Sequence, residues 1–202
     1  MNKKALILLL VGILACSASA IRVGVVVSYS GSTEFTKCVS VSEGADGYEV
    51  MQATALDIEW DYYDALFGHS LCGIENTGCS SSSCWCGGTS YWGLMMKGYG
   101  ESGWTYLPVG FDGGNSCWNG ELDSWDGHYC AEANDMIGVA WGPYGTQPTN
   151  YEFTDICSSA DIDLNAIVDD LELLDYIDLW AAGDVSGSDL LNAIDAWANN
   201  GE

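Results

Sequence analysis

Oxygen-bearing side chains are spaced most suggestively near the C-terminus, at Asp161, Asp163, Asn165, Asp169 and Glu172. These fall at positions 1, 3, 5, 9 and 12 of a calcium-loop pattern, and Ile167 at position 7 would add its carbonyl. Calcium takes six to eight hard oxygens, and this spacing wraps that many around one point. Ala166 stands where the sharp turn favours Gly, which strains the pattern. A second, shorter copy, Gly183-Asp184-Val185-Ser186-Gly187-Ser188-Asp189, keeps only the end of such a loop. The competing reading makes both segments N-caps on acidic helices.

Cysteine is the other chemically loaded residue type. Lys3 and Lys4 precede an apolar run from Ala5 to Ala15, and Ser17-Ala18-Ser19-Ala20 offers a small-residue cleavage site. The pattern predicts an export signal over residues 1–20, and the run is about half the roughly 20 residues needed to span a bilayer. Cleavage after Ala20 is the expectation, with lipid attachment at Cys16 as the alternative and no transmembrane segment in the mature chain. Cys38, Cys72, Cys79, Cys84, Cys86, Cys117, Cys130 and Cys157 then remain, an even set that predicts disulfides in an oxidising compartment. Cys79-x4-Cys84-x-Cys86 does not match a standard zinc spacing.

Charge excludes some partners. Five Lys and Arg face 29 Asp and Glu, for a net charge of −24. Such a field repels nucleic acid and anionic membranes. The nine Trp and eleven Tyr argue against a disordered acidic tail. No G-x-S-x-G, H-E-x-x-H or P-loop pattern occurs, and carboxylate pairs such as Glu59 with Asp61 are common by chance in so acidic a chain. The expectation is a protein that is not an enzyme. His69 and His128 are the only histidines, and His128, in the turn-like Asp126-Gly127-His128-Tyr129-Cys130, reads as a solvated loop residue.

The elements that would position these residues follow from periodicity. Residues 21–29 form a dense β-branched run, read as a buried strand, and a second strand is expected over 37–41. Residues 48–57 read as a helix. Tyr91–Met96 and Met136–Trp141 read as sheet strands within a Gly-, Ser- and Cys-rich stretch. Gly142 to Thr149 holds two of the three prolines and reads as a domain boundary. Beyond it, residues 150–202 carry thirteen acids and no basic residue, and repeat with a period of 17. Leu173, Leu174, Ile177 and Trp180, and then Leu190, Leu191, Ile194 and Trp197, fall at helical spacing. They predict two amphipathic helices burying their stripes against each other.

Residues 21–145 resemble the small secreted domain shared by the C-terminal part of transcobalamin and intrinsic factor and by many microbial surface proteins. The resemblance rests on the strand Val23–Tyr29, on Val39-Ser40-Val41-Ser42-Glu43-Gly44 before a helix, and on Phe67-Gly68…Ile74. It continues through Tyr91-Trp92-Gly93-Leu94-Met95-Met96-Lys97, Trp104-Thr105-Tyr106-Leu107-Pro108-Val109-Gly110, and Asn134-Asp135-Met136-Ile137-Gly138-Val139-Ala140-Trp141. An Asn-Gly that follows the family's Tyr-Trp strand is missing, and the Cys-rich insertions have no counterpart in the vertebrate carriers. The tail resembles a shortened dockerin through Val168…Glu172-Leu173-Leu174…Tyr176-Ile177 and Gly183-Asp184-Val185…Asp189-Leu190-Leu191.

These resemblances imply an α+β fold: a β-grasp-like small mixed sheet with one packed helix over residues 21–148, disulfide-braced, then a helical hairpin over 149–202. They imply a secreted or cell-surface binding protein, with cobalamin or another small molecule as ligand and a cohesin-like surface partner for the tail. Tyr91, Trp92, Trp104 and Trp141 are the expected ligand-binding aromatics, with sheet packing as the alternative use. A structural or adhesive surface protein and a carbohydrate-binding protein are the alternative functions.

Overall fold

The computed structural model describes residues 20–29, 33–114, 116–118, 127–161 and 167–199. Residues 1–19 of the expected export signal, Cys16 among them, and Asp163 and Asn165 therefore lie outside the described residues. The architecture is α+β, built on a five-stranded mixed sheet. Within it β1 (Ala20–Ser28) lies between antiparallel β2 (Glu34–Ser42) and parallel β8 (Met136–Gly142). β6 (Tyr91–Lys97) pairs antiparallel with β8 and with the short β7 (Thr105–Tyr106), giving the order β2-β1-β8-β6-β7.

β1 reads as one apolar run because both of its faces are covered. Side chains alternate across a strand, so Val23, Val25 and Val27 enter one core with Val39, Leu94, Ile137 and Val139. Val26 points the other way, to Met95, Met136, Ala140 and Phe153. Strand β2 is longer at both ends than the expected 37–41.

The first core is closed by α1 (Gly47–Gln52), which buries Val50 and Met51. Asp46 caps it reciprocally with Glu49. The expected helix over 48–57 stops early because the Thr54 hydroxyl turns back to the Met51 carbonyl, and Ala55 then takes a left-handed φ of 61°. A second antiparallel sheet completes this side: β3 (Ile58–Asp64), β4 (Gly68–Ile74) and β5 (Thr77–Gly78).

Residues 149–161 cover the sheet's second face. The Trp104 indole donates to the Thr149 carbonyl at 3.2 Å, and the Thr149 amide donates to Glu34 at 2.8 Å. Lys97 is buried yet fully satisfied, its Nζ donating to Asn150 Oδ1, the Tyr151 carbonyl and Glu152 Oε1. The short helix α2 (Phe153–Ile156) ends at Cys157, bonded to Cys38 of β2. Closing that separation of 119 residues is worth about 5 kcal/mol in the loop-entropy account. The other bridges, Cys72–Cys84, Cys79–Cys86 and Cys117–Cys130, close short loops. All eight expected cysteines are thus paired.

The tail forms α3 (Asp170–Ala182) and α4 (Gly187–Asn199), separated by Gly183 in the left-handed conformation that ends a helix. Their burial departs from expectation. The shared core holds Val168, Tyr176 and Ala193, with Leu173, Leu190 and Ala196 partly buried. Leu174, Trp180, Leu191, Ile194 and Trp197 remain exposed. Two thirteen-residue helices have too little mutual contact to bury stripes that wide. Among the described residues, no helix is long and apolar enough to cross a membrane.

Candidate functional site

Register brings the aromatic side chains together. The antiparallel pairing of β6 with β8 sets Trp92 opposite Trp141, ring centroids 5.6 Å apart. On the neighbouring side, Tyr106 of β7 meets Tyr144 edge-on at 5.2 Å. Burial pushes the Tyr106 phenol well above its ordinary value, helped by its hydrogen bond to Tyr91, so it stays neutral.

These rings border a cleft of about 920 Å³ whose other walls come from β4 and from the segment 107–111. That volume suits a sizeable small molecule. The loop between β5 and β6 forms a rim. Cys72–Cys84 ties it to β4, Cys79–Cys86 closes it on itself, and it passes so close over Trp141 that a Cβ on Gly87 would lie 2.8 Å from the indole. Trp85, fixed between the bridged Cys84 and Cys86, stands 69% exposed at the cleft. Among the described residues, no Lys or Arg lines the cleft.

Three of the four expected ligand-binding aromatics, Tyr91, Trp92 and Trp141, line this cleft. Trp92 is buried and Tyr91 and Trp141 are partly exposed. Trp104 is elsewhere: it packs in the second core on the other face of the sheet.

The cleft also holds a polar feature that residue types alone do not disclose. His69 of β4 sets Nδ1 2.5 Å from Asp112 Oδ2, and its amide donates to Asp112 Oδ1 at 2.6 Å. Its ring stacks on Tyr48 at 4.3 Å and meets Tyr62 edge-on. Gly68, at φ +66°, permits this approach, since a Cβ there would collide with Asp112. The carboxylate fixes the ring's orientation and, in the neutral form, its tautomer. No local signal links two residues 43 positions apart. His128, likewise, is half-buried with Nδ1 3.0 Å from the Gly113 carbonyl.

Metal-ligating groups gather differently from expectation. Cys117, His128 and Cys130 converge within 4.8 Å, but the two sulfurs are bonded to each other. In the acidic loop, Asp161 is buried with one oxygen 4.0 Å from the Arg22 guanidinium. Asp169 accepts from the Leu171 and Glu172 amides, and Glu172 in turn accepts from the Asp169 amide. That is a capping box for α3. The Ile167 side chain is exposed.

Neither a protein-family model nor a curated protein sequence matches the chain. Among solved structures, the chain is similar to haptocorrin in complex with Cbi, at 16% identity and a TM-score of 0.40. The match covers 64% of this chain and 26% of haptocorrin, so this chain spans about a quarter of that protein's length.

Proposed function

We propose that the protein is an extracellular binding protein whose aromatic cleft takes a flat small molecule of the cobalamin type. The cleft itself carries this reading. Its rings are held by strand register and by disulfides rather than by the ligand, so little ordering cost opposes binding. A corrin offers a broad ring face to stack on Trp85, Tyr144 and the Trp92–Trp141 pair, and neutral amides that an anionic protein does not repel. The family resemblance of residues 21–145 supports the same ligand class, and the four disulfides support an oxidising location.

Titration with cyanocobalamin and with cobinamide, read by corrin absorbance and tryptophan quenching, tests the proposal. Saturable binding is expected, weakened at least about tenfold in the doubly substituted Trp85→Ala, Tyr144→Ala protein, as loss of two stacking rings implies. No spectral change up to high micromolar ligand would overturn it. The exposure of Trp85 and Tyr144 also favours a second reading, stacking on sugar rings. A glycan array distinguishes the two, with hits lost in the same double variant.

A further inference from the structure

Lys97 is the last residue of β6, and alternation along the strand turns it to the same face as Met95, towards the second core. Its side chain is 2% exposed. A lysine this deep needs partners, because an unpaired ammonium in an apolar interior is costly. Its Nζ has three: Asn150 Oδ1 at 3.1 Å, Glu152 Oε1 at 3.1 Å and the Tyr151 carbonyl at 2.7 Å. The carboxylate balances the charge. The carboxamide adds a carbon that an amine can attack and a nitrogen that can leave.

The surrounding bonds hold this arrangement in place. Asn150 Nδ2 donates to the Ser102 carbonyl at 2.8 Å, which turns the amide oxygen towards Lys97 and the nitrogen away. Thr149 is fixed by Trp104 and Glu34, and α2 is tied to β2 through Cys38–Cys157. An amine held against a carboxamide in this way is close to the separation of about 3 to 3.5 Å from which reaction proceeds, and fixed orientation supplies much of what the free pair lacks. Glu152 reaches the same Nζ while 65% of its side chain is exposed, so it joins the buried amine to solvent.

We infer that Lys97 and Asn150 form an intramolecular isopeptide bond, with Glu152 moving the protons. Glu152 takes a proton from the Lys97 ammonium, and the freed lone pair on Nζ attacks Asn150 Cγ. The Nζ–Cγ bond forms and the Cγ–Nδ2 bond breaks. Nζ gives up two of its three protons through Glu152, one to the departing Nδ2 and one to solvent. Ammonia leaves, and Glu152 ends ionised as it began. The step needs no oxidant, metal or second substrate. The bond spans 53 residues and clamps the segment that covers the second face of the sheet to β6. It lies on the opposite face from the aromatic cleft, so it stands or falls independently of the small-molecule proposal.

Intact mass spectrometry of the full chain, reduced, alkylated and denatured, reads the bond directly. The wild type is expected to be lighter than its sequence by one ammonia, and a chymotryptic digest should yield one branched peptide containing both Lys97 and Asn150. Lys97→Arg and Asn150→Ala should each keep the full mass, and Glu152→Gln should leave most chains unlinked. Asn150 and Glu152 are exposed positions, so these two variants are expected to fold, which circular dichroism checks. A wild type of full mass, its Lys97 open to acetylation once denatured, would overturn the inference and leave an ordinary buried ammonium. An ammonia loss that survives in Lys97→Arg would also overturn it, because Asn150 would then have cyclised on its own backbone. Wild-type yield in Glu152→Gln would overturn the role given to Glu152.

Discussion

Asp135 sits just before β8, buried, with Oδ2 accepting from the Tyr129 hydroxyl at 3.2 Å and the Glu132 amide at 3.1 Å. Burial pushes its carboxyl from an ordinary 3.8 up to about 6, against the lowering effect of those hydrogen bonds, with Glu132 and Glu101 adding repulsion. Tyr129 is itself pushed far up by burial and the same carboxylate, so it remains a neutral donor. The folded state thus holds the Asp135 proton more tightly than the unfolded chain does. Its contribution to stability is greatest below about pH 4, falls as pH rises towards 6, and is level above. Asp135→Asn keeps an acceptor oxygen and removes the titration. Urea midpoints of the two proteins between pH 4 and pH 7 are expected to shift in favour of Asn as pH rises. Parallel profiles would show that Asp135 is not the responsible group. At the same scale, the bond to Asp112 fixes the imidazole of His69, a residue of the cleft lining, against Tyr48.

Among the elements, α3 depends on its first turn. Asp169 accepts two amide hydrogens and Glu172 closes the box, while the Trp197 indole donates to Asp170 at 2.8 Å and joins α4 to that same turn. Asp169→Ala is expected to cost about 1 kcal/mol, the usual worth of an N-cap, and to speed amide exchange at the start of α3. Unchanged exchange there would mean that the helix is held by its small core alone. The two helices were legible from the 17-residue repeat, and strands β1, β6 and β8 from dense apolar runs. β3 was not, because Ile58-Glu59-Trp60-Asp61-Tyr62-Tyr63-Asp64 alternates acids with aromatics and leaves most of them exposed. The cleft was legible only in part. Tyr91, Trp92 and Trp141 stand in recognisable strands, but the side chains that join them depend on pairing. Trp104 has the right chemistry and the wrong sheet face, which composition cannot reveal. The partial burial of the repeat's leucines was equally hidden, since helical spacing defines a stripe without saying how much of it a neighbour covers.

For the whole molecule, the longest and the shortest disulfide loops divide between holding the chain together and shaping the cleft. Cys38–Cys157 ties β2 to the segment that covers the second face of the sheet and roots the hairpin. Cys79–Cys86 closes only seven residues but holds the rim carrying Trp85. Loop entropy assigns about 5 kcal/mol to the first and about 2 kcal/mol to the second. The pair Cys38→Ser, Cys157→Ser should therefore lower the melting temperature more than Cys79→Ser, Cys86→Ser. Local order should respond in the opposite places. Hydrogen exchange is expected to quicken across 149–157 in the first variant, where the Lys97 and Trp104 bonds remain but the covalent anchor is gone. In the second it should quicken across 84–92, at the cleft rim. If both variants loosened the same segments, or the short bridge proved the more stabilising, the division of labour between scaffold and rim would be wrong. A cleft whose rim is stapled separately from the scaffold can lose binding order without losing its fold, and the two double variants measure those quantities apart.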